Sequence, residues 1–364
     1  MSDTTVTVTV GGSPLSAADR QSVRSVDIAE AMGAQTQVSV VVDVTVDDRS
    51  NWTSPLDALV APFATFEVTL RRGEDTLVVP ARATGLSWAL QAGGSSTFTV
   101  AGLDASADLD RVERDRPWGD HSDAQIAQEL LGPTARVGTT PTPDGSDAFT
   151  PHQRGTDWSF LRTLAARNDF DVYYTVENGT VVPVFDRVDP NAPPQTSLDL
   201  GYGALGGAAS VQVQLVAGQR VEITYLPPGG DTPEVAADDG TGNAMGTQSL
   251  GGAVTVLRDQ NDVSGKQPPD RSARVLAERS AFGADLSVTL NTPEMPLVRA
   301  RRTVRVRGLG TLVSGLWLVK SVRHTVTQAG HTQALTLTRN ALGDDAAAGA
   351  GGLLGAAAAL AGAL

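Results

Sequence analysis

Hydrophobic and polar residues alternate along much of this chain with a period of two, the pattern of strands that bury one face. Val6, Val8 and Val10 are separated by threonines. Val38, Val40, Val42, Val44 and Val46 alternate with Gln37, Ser39, Asp43 and Thr45, and Val41 is the interruption. Phe66, Val68 and Leu70 repeat the rhythm, as do Phe98 and Val100. Gly11-Gly12, Arg72-Gly73-Glu74-Asp75 and Gln91-Ala92-Gly93-Gly94 punctuate these runs as turns. This spacing predicts a mostly antiparallel sheet, closed or nearly closed, over the first part of the chain. Alternation returns at 211–216 and at Val221, Ile223 and Tyr225. It ends in three clear strands at 303–307, 316–326 and 331–339, the last two joined by a Gln328-Ala329-Gly330 turn.

Between these β regions the period changes. Thr156 is a good N-cap, Asp157 suits the first turn of a helix dipole, and Trp158, Leu161, Leu164 and Ala165 share one helical face. The helix stops near Asn168-Asp169. A hairpin follows, with residues 170–174 going out, Asn178-Gly179 turning and 181–185 returning. Upstream, Ser122 and Gln125 form a capping box ahead of Ile126, Ala127, Leu130 and Leu131, and Gly132-Pro133 stops that helix. Residues 138–145 read as a loop, and 189–194 as a Pro-rich break. Residues 227–248, full of Gly, Asp and Pro, read as a long exposed loop. A further helix is expected over 270–282, with Val275 and Leu276 inward.

At 364 residues the chain is long enough for two or three cores. It has no cysteine, so no disulfide or thiolate site, and its four histidines are never paired at a ligand spacing. Aromatics make up only 5% of residues, which favours short strands and turns over aromatic pockets. The net charge is −13 and disfavours generic binding to nucleic-acid phosphate. The N-terminus shows no basic-then-apolar signal segment, so secretory export is not expected.

The stretch from Gln153 through Asp157-Trp158, Phe160-Leu161 and Leu164-Ala165 resembles the phage late control D family, the tail-hub proteins of contractile phages and of related injection machines. So does the closing pair of strands, 315–324 and 333–339, where one strand ends in Val322-Arg323-His324 and its partner in Arg339. The Ser122 helix, the Val8 strand and Asn51-Trp52 fit more weakly, and order and spacing carry the match as far as Asn340. Arg299 to Arg302 stand where a Pro-Gly turn is expected, and the 227–248 loop is unusual for the family.

The resemblance implies a mainly β chain with two tube-like antiparallel β-barrels flanking a helix-hairpin module. The limits would be 1–110 for the first barrel, 111–197 for the module, 198–342 for the second barrel and 343–364 for a flexible Ala/Gly/Leu-rich tail. It implies a homotrimer that adapts a hexameric tail tube to a separate trimeric spike protein and lines the central conduit. The particle, a virion tail or an injection system, would be assembled in the bacterial cytoplasm. Rival readings are a carbohydrate- or receptor-binding tail-tip protein and a tail-associated wall hydrolase.

No catalytic residue, cofactor or metal is expected. Gly201, Gly203 and Gly206 satisfy a dinucleotide-type glycine pattern but lead into a strand instead of a helix. The acidic run Asp104, Asp108, Asp110, Glu113 and Asp115 lacks a calcium-loop spacing, and Asp238-Asp239 lacks the closing Glu. No carboxylate pair, Ser-His-Asp set or nucleophile elbow stands out. The one sharp interface expectation is Arg299, Arg301, Arg305 and Arg307. On an extended strand they share a face opposite Val304 and Val306, and would meet acidic residues of a neighbouring subunit. Trp158, Phe160, Leu161 and Leu164 are expected to anchor the module core, and Trp52, Trp88, Trp118 and Trp317 to be core residues. The uncharged segment 346–364 is expected to touch protein, such as a tape-measure protein, and not to insert stably in a membrane.

Overall fold

The computed structural model describes residues 4–46, 51–91, 95–119, 121–140, 151–200, 211–226, 231–252, 254–259, 269–291 and 296–343. The glycine pattern at 201–206 and the tail from 344 lie outside them. The alternating valines do what period two requires: Val38, Val40, Val42 and Val44 are buried, as are Phe66, Val68 and Leu70 and then Phe98 and Val100.

The two tube-like barrels expected, closed or nearly closed, do not appear as closed barrels among the described residues. Most strands join one large, chiefly antiparallel sheet of 14 strands, and no closed barrel is present among the described residues. Its order runs Val211–Leu215, Ala284–Leu290, Gly330–Arg339, Gly315–Thr327, Val23–Ala31, Gln37–Val46, Ser96–Asp104, Asp75–Ala89, Thr65–Arg72, Thr5–Val10 and Ser13–Pro14. The two ends of the chain therefore meet inside one sheet. Two separate cores sit on it. One holds Val26, Ile28, Val40, Leu70 and Phe98; the other holds Leu286, Val306, Trp317, Val319 and Leu337.

The strand Gly315–Thr327 joins the halves, and a bulge explains how. Its first part pairs with Thr303–Arg307, its second part with Val23–Ala31, and the register slips between Val319 and Ser321. The slip inserts Lys320 and reverses the parity. Trp317 and Val319 face inward before it; Val322, His324 and Val326 face inward after it. Before the bulge both faces are covered, because Leu316 and Leu318 are also buried, against Met245.

The helix-hairpin module forms as the sequence indicates. The helix Asp157–Asn168 is capped by the Thr156 hydroxyl accepting from Ser159 N, and Asp169 ends it in the left-handed region at φ 57°. Trp158, Phe160, Leu161 and Leu164 are buried with Trp118, Ile126 and Phe185 in a third core. The strands Asp171–Glu177 and Thr180–Asp186 turn at Asn178 and Gly179, both at positive φ. The helix Asp123–Leu131 has the full Ser122/Gln125 capping box.

Two further expectations are corrected. Residues 227–248 are not one exposed loop: Glu234–Asp238 pairs with Gln219–Tyr225, Ala236 is buried, and Met245 is buried. The helix Pro269–Ala281 covers that small three-stranded sheet through Ala273 and Ala277. Trp118 and Trp317 are core residues, but Trp88 is 40% exposed and stacked on Phe98 near the end of its strand.

Candidate functional site

The four arginines singled out in the sequence do not form one stripe. Thr303–Arg307 is the strand, so Arg305 and Arg307 lie on it while Arg299 and Arg301 precede it in irregular backbone. Arg299 forks onto buried Glu30: its Nε lies 3.0 Å from both carboxylate oxygens and its Nη2 2.7 Å from Oε1, with Ala300 N also donating. Burial pushes the Glu30 carboxyl up, but Arg299, helped by Arg301 and His324, pulls it down further, so it stays below its ordinary value. Arg301 is buried. Its Nε donates to Asp171 Oδ2 at 2.6 Å, its Nη2 to the carbonyls of Ala31 and Ala34, and its guanidinium lies over the Tyr173 ring. Asp171 Oδ1 in turn accepts from Gly33 N and Val172 N.

These two arginines are a junction inside the chain. They join the turn after Val23–Ala31, the hairpin of the module and the lead-in to the closing strands. A second set of contacts docks the Pro269–Ala281 helix on the module: ion pairs of Arg279 to Asp169 at 3.1 Å and of Arg187 to Asp169 and Glu278, and a hydrogen bond from Arg271 to the Asn168 amide oxygen. Asn168 also donates to Asp123, which holds Arg167. A groove of about 430 Å³ lies over this meeting point, floored by Met32, Phe170, Phe282 and Leu318 and edged by Arg162 and Lys320. Glu30 and Asp171 were missed in the sequence. A signal existed for Glu30, which shares parity with inward Val26 and Ile28 and so needed a buried cation.

The acidic candidates are used locally. Asp104 accepts from Thr36 N and Ser106 N, Asp108 pairs with Arg82, and Asp110 accepts from the Thr156 hydroxyl. Asp115 pairs with His152. Asp238 and Asp239 accept from the Gly240 and Thr241 amides. Among the described residues no group of three or more His, Asp or Glu side chains is placed to hold a metal ion. No helix among them is long and apolar enough to cross a membrane.

The most unusual surface is an edge. Val211–Leu215 is the last strand of the large sheet and pairs, among the described residues, on one side only, with Ala284–Leu290. Residues 212–217 are all exposed, and Val213, Leu215 and Val216 present 37%, 58% and 67% of their surface. A bare edge carrying apolar side chains is a template for another chain. The opposite end of the sheet is guarded by a two-residue strand containing Pro14.

No protein-family model matches the sequence, and no curated protein matches it. Solved structures do. The tail protein from Neisseria meningitidis MC58 superposes with a TM-score of 0.61 at 14% identity, over 93% of this chain and 97% of that one. The 43 kDa tail protein of prophage MuSo2 from Shewanella oneidensis gives a TM-score of 0.63 at 15% identity, over 92% and 98%. The chain has the fold of phage tail proteins. The E. coli c3393 protein, a component of the type VI secretion system with structural similarity to the T4 bacteriophage tail proteins gp27 and gp5, gives 0.52 at 12% identity, over 87% and 73%.

Proposed function

We propose that this protein is a structural hub subunit of a contractile tail, in a phage or a related injection system. It works by geometry and not by catalysis. The observation that carries the reading is the sheet that, among the described residues, ends in an edge paired on one side only at Val211–Leu215 with Val213 and Leu215 exposed, within a fold shared with phage tail proteins. A sheet whose two ends differ favours head-to-tail contacts between copies, and such contacts close into a ring when the rotation between copies closes. Three copies would surround a conduit, with the hexameric tube on one side and a separate spike protein on the other. The internal Arg299–Glu30 and Arg301–Asp171 pairs would hold the two halves of each subunit at a fixed angle. The net charge of −13 would keep the conduit from adhering to nucleic acid.

Within this reading Arg305 and Arg307 keep the interface role, as a cationic patch on the Thr303–Arg307 strand for an acidic tube or spike surface. The 343–364 tail would meet a tape-measure protein.

The test is Leu215→Glu together with Val213→Lys, compared with the wild type by sedimentation. The variant is expected to keep its far-ultraviolet circular dichroism and to fall to monomer mass. A variant with wild-type assembly would remove the edge from the interface.

A receptor-binding reading draws on a single feature, Trp88 with neighbouring Leu90 exposed by 63%. Trp88→Ala separates the two readings: a hub subunit assembles normally without that ring.

A further inference from the structure

Two buried histidines take no part in the junction pairs. His324 and His331 lie on facing strands of the closing hairpin, 0% and 7% exposed, with ring centroids 5.4 Å apart. His324 Nε2 is 2.9 Å from the carbonyl oxygen of Val298, which can only accept, so that nitrogen carries a proton. In a neutral ring Nδ1 of His324 is then an acceptor, and it lies 3.2 Å from His331 Nε2, which must donate. That leaves His331 Nδ1 to accept from the Thr4 hydroxyl at 2.9 Å. Two neutral imidazoles, both protonated on Nε2, satisfy every bond in this row of groups.

This row of bonds ties together the start of the first strand, both strands of the hairpin and the segment leading to Arg299. Val298 is clamped a second time, its amide donating to Gln333 Oε1 while Gln333 Nε2 donates to the Pro296 carbonyl. The charged groups facing the pair are Glu30 from Val23–Ala31, Arg299 from the lead-in segment and Arg72 from the end of Thr65–Arg72. Glu30 is already engaged by Arg299, so the surroundings do not favour a further cation.

We propose that Thr4, His331, His324 and Val298 form a proton-operated latch, which fastens the first strand and the 296–300 segment to the closing hairpin while both rings are neutral. A first added proton can enter at His331 Nδ1 only if the Thr4 bond reverses direction, or at His324 Nδ1 only if the His324–His331 bond reverses as well, and either way it leaves a buried cation. A second sets two N–H groups face to face. Burial, opposed only in part by Glu30 and the Val298 bond, holds His324 at about 4; burial, with the neighbouring His324, holds His331 at about 3. An opened latch exposes two imidazoles that titrate at roughly 6.5, so opening takes up protons as the pH falls below that value.

The experiment uses the full chain with ¹⁵N-labelled histidine. At pH 7 both rings are expected to show the Nε2–H tautomer and to remain neutral at pH 5.5 in the folded protein. Amide exchange at Val298, corrected for its intrinsic rate, is expected to report an opening constant several-hundred-fold larger at pH 5 than at pH 7, about two protons per opening. Protection in the 157–168 helix should not follow it. In His324→Gln/His331→Gln the pH dependence should vanish; if that variant does not fold, the wild-type measurements decide alone. An Nδ1–H tautomer, titration near the ordinary histidine value in the folded chain, or an opening constant unchanged between pH 7 and pH 5 overturns the latch.

Discussion

Arg301 stands at φ 65°, a left-handed conformation that arginine rarely adopts, and its guanidinium is buried against Asp171, two carbonyls and Tyr173. Strain of that kind persists only where surrounding bonds over-determine it. Removing one member of such a buried pair leaves the other charge without compensation, so Asp171→Ala is expected to lower stability by about 3–5 kcal/mol, read from the urea midpoint. Arg301→Ala should lose a similar amount, and the double variant less than the two losses added. Glu30 gives a pH signature. Its carboxyl lies below the ordinary value, so the stability it contributes is present above the unfolded carboxylate pKa and is lost as the pH falls through the folded value. Glu30→Gln should flatten the acid limb of a stability–pH curve below about pH 4.5. The arginine stripe misled at this scale because alternation fixes parity only along a strand. The strand was legible from Thr303 onward, and the stripe was carried past its start to Arg299 and Arg301, where that parity no longer holds.

Among the elements, those with complete local signals were legible. The Ser122 box, the Thr156 cap and the Asn178-Gly179 turn each specify their geometry within a few residues, and each forms. Thr156→Ala should cost about 1 kcal/mol, the usual loss for an N-cap hydroxyl. Leu161→Ala should cost about 2–5 kcal/mol, since Leu161 is fully buried between the helix and the hairpin. The strand Glu234–Asp238 was hidden because its sequence, flanked by Gly, Asp and Pro, carries only Val235 and two alanines as apolar signal, with no alternation. Its partner Gln219–Tyr225 supplies the burial. The bulge at Lys320 was equally hidden. Deleting Lys320 would bring Val319 and Ser321 into strict alternation opposite Leu337 and Thr336 and keep Val322, His324 and Val326 inward, so the deletion variant is expected to fold with an unbulged strand, as shown by retained proton chemical-shift dispersion.

For the whole molecule, the sequence showed how much β structure there is but not how it closes. Two alternating regions separated by helices look like two barrels, whereas the pairing of Val23–Ala31 with the far half of Gly315–Thr327 makes one sheet. That pairing spans nearly the whole chain, beyond the reach of any local pattern. The same continuity leaves the Val211–Leu215 edge at one end, paired on one side only among the described residues, and the hub proposal depends on what covers it. Light scattering of the purified chain across a range of concentrations is the most direct test. The account predicts a particle of three times the 37.7 kDa chain mass, independent of dilution over the working range. A chain that stays at 37.7 kDa at every concentration would contradict it.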